Sequence, residues 1–176
     1  MDIQRIEEFK ITSSQKEAIQ LLLSECFSGY PKDRTYYKQL PTFRYLAFQK
    51  DQLIGHLAVD HRMIAINQQP FSIFGVVDFC IATKFQGKKL ATTLLDQLEK
   101  LGRKHQLDFV LLTATDHQLY LKNGYQLHSN TCRWLFINDH QTLGVKNQHL
   151  PNTILVKALG KKQWLGETVD FLGEIF

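Results

Sequence analysis

Residues 71–95 read FSIFGVVDFCIATKFQGKKLATTLL, from Phe71 to Leu95, and change character twice. From Phe71 to Ala82 nearly every residue is apolar, β-branched or aromatic, as in a strand buried on both faces, and only Gly75 and Asp78 stand out strongly from that run. After a basic turn, Leu90, Ala91, Leu94, Leu95, Leu98 and Leu101 recur at helical spacing. A helix that opens directly after a buried strand presents unpaired backbone N–H groups and the positive end of its dipole, which together attract phosphate. Gln86, Gly87, Lys88, Lys89, Leu90 and Ala91 stand at that junction. Small residues at Gly87 and Ala91 let backbone approach an anion, and Lys84, Lys88 and Lys89 offer point charges to it. The same lysines read equally well as a solvated surface turn. The patterns G-x-x-x-x-G-K-S/T and G-x-G-x-x-G are both absent, which weighs against nucleoside triphosphates and dinucleotides as ligands.

Working outward, Asp108 to Thr113 (DFVLLT) is a second buried strand, so the segment forms a strand, helix, strand unit with a parallel pair. A short helix from Asp116 to Asn123 stops at Gly124, and strands near 125–127, 132–137 and 153–157 complete a mixed sheet. Upstream, IQRIEEFKI predicts an opening strand. Ser14-Gln-Lys-Glu17 predicts a capped helix carrying Ala18, Ile19, Leu22, Leu23 and Cys26 on one side. Residues 27–41 form an irregular connection with room for one short helix. TFRYLAFQK and QLIGHLAVDHRMIAI predict a hairpin turning at Asp51-Gln52. At 176 residues the expectation is a single α/β domain over 1–176.

Composition excludes several classes. Cys26, Cys80 and Cys132 lie far apart, which fits neither a disulfide framework nor a zinc knuckle. His56, Asp60 and His61 share one strand, but neighbouring strand residues point to opposite faces and no H-E-x-x-H helix exists, so no metal is expected. A net charge of +4 is spread along the chain, and aromatic and basic residues do not interleave, so nucleic acid is not expected. No stretch reaches the roughly 18 apolar residues of a membrane helix and no targeting signal stands at the N-terminus; the expectation is a cytoplasmic protein without a membrane partner.

The Gln86 to Ala91 turn resembles the acetyl-CoA loop of the GNAT superfamily of acyl-CoA-dependent N-acyltransferases, Q/R-x-x-G-x-G/A, with Lys89 where the middle glycine is usual. Leu119 to Tyr125, LYLKNGY, resembles the family's F-Y-x-K-x-G-F signature at the right distance from that loop. KEAIQLLLSECFSGY, QLIGHLAVDHRMIAINQQPFS and WLGETVDF are similar, in order, to segments of the aminoglycoside 2'-N-acetyltransferases. The resemblance implies a GNAT-like mixed, splayed β-sheet flanked by helices, with a bulge between Gly75 and Asp78 where the sheet splits.

It further implies acetyl-CoA as acyl donor, bound by Phe79, Cys80 and Ile81 along the strand, by Gln86, Gly87, Lys88, Lys89, Leu90, Ala91 and Thr92 at the loop, and by Lys122. A backbone N–H near Cys80 would face the developing oxyanion. Tyr120 matches the family's tyrosine beside the cofactor sulfur, where a phenol can give a proton to a departing thiolate; read without the neighbouring motif, an aromatic packing a short helix against the sheet is the favoured reading. Asp78, a carboxylate inside an apolar strand, stands where related transferases carry a glutamate, and fits a general base acting directly or through water; a structural aspartate bonded to loop backbone is the even alternative. Asp116 reads as the cap of the short helix, and His117 as a neighbour of cofactor or solvent. For a polycationic acceptor the carboxylates offered are Asp33, Glu167 and Asp170, with Trp164 as a wall; each also reads as ordinary surface or sheet cover. The expected partner is a small-molecule amine, with a homodimer as the protein assembly considered. A protein amine, a longer acyl donor, or a catalytically silent CoA sensor remain as alternatives.

Overall fold

The computed structural model describes residues 1–176. Along the chain come β1 (Asp2–Glu7), α1 (Ser13–Cys26), β2 (Phe43–Gln49), β3 (Gln52–Ile66), β4 (Gln69–Ile81), α2 (Leu90–Lys104), β5 (Phe109–Thr113), α3 (Gln118–Lys122), β6 (Gln126–Asn138), β7 (Gln141–Ala158) and β8 (Thr168–Asp170). Hydrogen-bonded neighbours in this mixed sheet follow the order β1-β2-β3-β4-β5-β7-β6-β8. The chain divides into two compact units, one of residues 1–60 and 77–97, the other of 61–76 and 98–176.

In the first unit β1, β2 and β3 form an antiparallel ladder, Ile3 facing Ala47 and Leu46 facing His56. α1 covers it because Ile19, Leu22 and Leu23 recur on one side and are buried with Ile11, Tyr30, Leu46, Leu53 and Cys80. The cap of α1 lies two residues before the predicted Ser14. Thr12 Oγ1 accepts from the Gln15 amide at 3.3 Å while Gln15 Oε1 accepts from the Thr12 amide at 3.0 Å, a reciprocal box built on Gln rather than Glu17. Residues 27–41 contain no helix. The hairpin turns at Lys50 and Asp51, one residue earlier than expected, because Lys50 takes the left-handed conformation at φ 53°.

In the second unit β4 and β5 run parallel, with Ile73, Phe74 and Gly75 paired to Phe109, Val110 and Leu111. β5 pairs antiparallel with β7, and β7 with β6, in a hairpin far longer than the three short strands read from sequence. Its residues 141–149 are exposed, so their mostly polar character concealed a strand that pairs through its backbone and lays Lys146 over the Phe136 ring at 3.5 Å. β8, not foreseen, is three residues long and pairs with β6 and β3. The core of this unit gathers Ile64, Ile73, Phe109, Leu111, Ile154 and Phe171. Gly75 is required by packing: a Cβ built there would lie 1.9 to 2.6 Å from the ring of Phe176. The Arg62 guanidinium stacks over the same ring, 4.2 Å from its centroid.

Gly75→Ala is therefore expected to cost about 1–3 kcal/mol by overpacking, measured as a lower urea midpoint, and Phe176→Ala in the same chain should remove most of that penalty. Equal penalties in both backgrounds would show that the contact does not set the requirement.

Candidate functional site

β4 ends at Ile81, and the chain reaches α2 through a turn whose geometry is fixed by two left-handed residues, Gly87 at φ 73° and Lys89 at φ 64°. The resemblance set a glycine at position 89, and the structure gives lysine the backbone conformation that glycine adopts most easily. Gln86 ties the turn back to the strand, its Nε2 donating to the Ile81 carbonyl at 3.0 Å. The Lys89 carbonyl accepts from the Thr93 amide at 3.0 Å and from Thr93 Oγ1 at 3.1 Å, closing the first turn of α2. Nothing lies within 4 Å of where a Gly87 Cβ would stand, so the mouth of the turn is open. Lys88 rests its ammonium 5.1 Å from the Phe85 ring centroid. Leu90 is buried, Ala91 and Thr92 half-buried. Open backbone and exposed cations at a helix N-terminus suit a phosphate-bearing group.

Phe79, Cys80 and Ile81 form the last strand residues before this turn. Cys80 is no nucleophile: hydrogen bonding with Cys26 and burial push its thiol far up. Cys26 Sγ also lies 3.6 Å from the Ile81 carbonyl.

Asp78 breaks the strand with φ 46°, a left-handed residue where an extended one belongs. Its carboxylate is half-buried and accepts from the Tyr30 hydroxyl at 2.7 Å. Burial raises the carboxyl above its ordinary range, opposed by the Tyr30 hydrogen bond and by the charges of Arg44 and Lys38. Behind it lies an arrangement the sequence reading missed. Arg44 is fully buried, with Nε 2.5 Å from Glu8 Oε2 and a terminal nitrogen 2.8 Å from His56 Nε2. His56, also fully buried, reaches the Asp78 carbonyl with Nδ1 at 2.7 Å. The signal that singled out Asp78, a charge inside an apolar strand, was equally present at Arg44 between Phe43 and Tyr45 and at His56 between Gly55 and Leu57.

In the second unit Tyr120 lies on α3, half-buried, edge-on to Tyr125 at 5.8 Å between centroids. Burial and the nearby Asp116 charge push its phenol up to about 12, so it carries its proton at neutral pH. Asp116 Oδ1 accepts from the Gln118 amide at 3.0 Å. His117 turns back on its own chain, Nε2 at 2.9 Å from the Ala114 carbonyl, rather than outward. Lys122 is exposed. Trp164 is packed edge-on against Phe109 at 5.3 Å and donates from Nε1 to Asn130 Oδ1 at 3.2 Å, which is how a sheet-covering tryptophan sits. Asp170 pairs with Arg133 at 3.5 Å and accepts from the Leu172 amide. With Asn67, Asn147 and Thr168 they line a cavity of about 360 Å³ in this unit. Glu167 is exposed there, and Asp33 is exposed in the first unit.

The family model described as "Acetyltransferase (GNAT) domain" matches residues 9–128, which include the loop, Asp78 and Tyr120. The chain belongs to this GNAT acetyltransferase family.

Among solved GNAT structures, the N-acetyltransferase YhbS of Escherichia coli, in complex with CoA, is similar at TM-score 0.64 and 16% identity, covering 96% of this chain and 88% of that one. A GNAT acetyltransferase of Brucella melitensis, in complex with acetyl-CoA, gives TM-score 0.60 and 13% identity over 96% and 94% of the two chains. Eis1 of Mycobacterium abscessus gives 0.62 and 14%, this chain matching 34% of its length. At such identities the likeness is one of fold.

A GNAT loop with lysine at the left-handed position stores strain of about 1 kcal/mol. Lys89→Gly should therefore raise the unfolding free energy by about that amount, and Gly87→Ala should lower it similarly although its methyl would touch nothing. Opposite signs in matched urea melts check both.

Burial and then the Arg44 charge hold the His56 imidazole down to about 3, against 6.5 when unfolded, so between those values the unfolded chain binds a proton that the folded chain refuses. His56 therefore contributes a loss of stability as pH falls from 6.5 towards 3, with burial its main cause. A His56→Leu variant should show a shallower acid decline than the parent in urea midpoints taken across that window.

Proposed function

We propose that this GNAT protein transfers an acetyl group from acetyl-CoA to the amine of a small acceptor. The observation that carries the reading is the left-handed Lys89 at the mouth of α2: the one position where the sequence departs from the family loop keeps the family's backbone conformation. The open turn at Gly87 and the α2 N-terminus would hold the pyrophosphate, with Lys88 and Lys89 adding charge and Phe79 to Ile81 offering backbone to the pantetheine arm. When bound, acetyl-CoA supplies the acyl group as an activated thioester.

Asp78 is the proposed base. An amine attacks only when neutral, and a carboxyl raised by burial is a better proton acceptor than an ordinary aspartate. Tyr120 is the proposed acid; with its pKa at about 12 it retains a proton to give to a thiolate. Support for a polycationic, aminoglycoside-like acceptor is narrower. Asp170 is engaged by Arg133 and Trp164 belongs to the packing around Phe109, leaving Asp33 and Glu167 as the exposed carboxylates of the set. The proposal is therefore a small primary amine without a demand for several positive charges.

Calorimetry with acetyl-CoA, followed by thiol release against a panel of amines, tests the reading; stabilisation without turnover on any amine would indicate a sensor instead. Tyr120→Phe should lower kcat by about a hundredfold or more while the acetyl-CoA Kd stays the same. In the parent, kcat/KM should fall as pH drops through a value above the ordinary carboxylate range, since protonated Asp78 accepts nothing. Asp78→Asn should lose that acid limb together with most of the rate. A parent-like profile in that variant would remove Asp78 from the base role.

A further inference from the structure

We propose that Glu8, Arg44 and His56 are positioning residues for Asp78, acting through its main-chain carbonyl; this rests on the reading of Asp78 as base. The strands bring them together. Leu46 faces His56 and Arg44 faces Ala58 in the β2–β3 ladder, so Arg44 and His56 are diagonal neighbours on one face of the antiparallel pair.

Donor and acceptor chemistry then fixes the direction of every bond. A guanidinium only donates. The 2.8 Å contact from Arg44 therefore makes His56 Nε2 the acceptor, and the ring's one proton sits on Nδ1. Nδ1–H donates to the Asp78 carbonyl at 2.7 Å. At the far end Glu8 receives Arg44 at two oxygens, 2.5 and 3.1 Å, and Thr35 Oγ1 takes a further contact at 3.4 Å. Arg44 thus donates to Glu8 on one side and to His56 on the other, and His56 donates onward to a peptide oxygen.

The peptide at its end is the strained one. A non-glycine residue held left-handed within a strand costs of order 1–3 kcal/mol and persists only where its surroundings impose it. Asp78 is imposed on from two sides: His56 holds its carbonyl, and Tyr30 holds its carboxylate at 2.7 Å. The imidazole does not change state over the range in which the base works. Burial and Arg44 keep His56 neutral down to about 3, so the groups around Asp78 that carry charge at neutral pH are Arg44 and Lys38, while Tyr30 and Cys80 keep their protons.

The test contrasts two variants of the full chain. His56→Leu removes the donor, and His56→Asn restores an N–H near the Nδ1 position. In His56→Leu, kcat should fall about tenfold to a hundredfold, as a misplaced catalytic group does, with the acetyl-CoA Kd unchanged and the acid limb of the pH profile displaced; His56→Asn should recover much of the loss. A folded His56→Leu with parent kcat and pH limb would overturn the proposal. In the parent, nitrogen NMR of the His56 ring should report the neutral Nδ1–H tautomer from pH 8 to about 4; an Nε2–H tautomer, or titration near the ordinary histidine value, would also overturn it, whether or not the variants fold. If Asp78→Asn keeps full activity while the NMR result holds, the base reading fails and the hydrogen-bond chain stands.

Discussion

A guanidinium with no solvent contact must be satisfied on every nitrogen or the strand that carries it cannot stay folded. Arg44 is that group, and the first unit is arranged around it. Glu8 is delivered by the turn after β1, His56 by β3, and Thr35 by the irregular connection after α1. Each comes from a different segment, so the register of the β1–β2–β3 ladder and the path of residues 27–41 are constrained together. The demand ends at β4, where His56 donates to the carbonyl of the left-handed Asp78.

The two places where the backbone goes left-handed at non-glycine residues near the site solve different problems. At Lys89 the conformation ends one segment and begins another, opening the first amides of α2. Strain at a loop is tolerated there because nothing else must move. At Asp78 the conformation interrupts a strand that continues on both sides, so neighbours have to hold it. The loop can therefore be recognised by its local pattern, whereas the strand break depends on side chains far away in sequence.

This difference explains what could be read in advance. The buried strand, the amphipathic α2, the loop and the α3 glycine were legible because each rests on nearest neighbours: hydrophobic period, small residues, a terminal Gly124 at φ 77°. The α1 cap was misplaced by two residues because Thr12 with Gln15 makes the same box as the Ser14 and Glu17 spacing. The length of β6 and β7 was hidden because an exposed hairpin arm held mainly by pairing needs no apolar alternation. Trp164 and Asp170 were offered to an acceptor on residue type, which says nothing of the ring packing at Phe109 and the ion pair with Arg133 that they also make. Arg44, His56 and Tyr30 were missed because the meaning of a buried polar group lies in its partner, and the partners are 36, 22 and 48 residues away.

Tyr30 gives the carboxylate its asymmetry. Burial and the adjacent Asp78 charge push the Tyr30 phenol well above its ordinary value, so it stays a donor and occupies Oδ2 permanently. In the proposed base role the Tyr30 hydroxyl engages Oδ2, so Oδ1 is the oxygen offered to the acceptor. His56 cannot supply or drain that proton, since its only one is committed to the Asp78 carbonyl and its other nitrogen to Arg44. The carboxyl is raised by burial and held back by the Tyr30 hydrogen bond and the Arg44 and Lys38 charges, which is the balance the proposed base role draws on. Tyr120, pushed up to about 12 by burial and the Asp116 charge, keeps its proton at neutral pH, as the proposed acid has to. Environments that hold a carboxyl ready to accept and a phenol ready to donate are what acid–base chemistry at neutral pH requires.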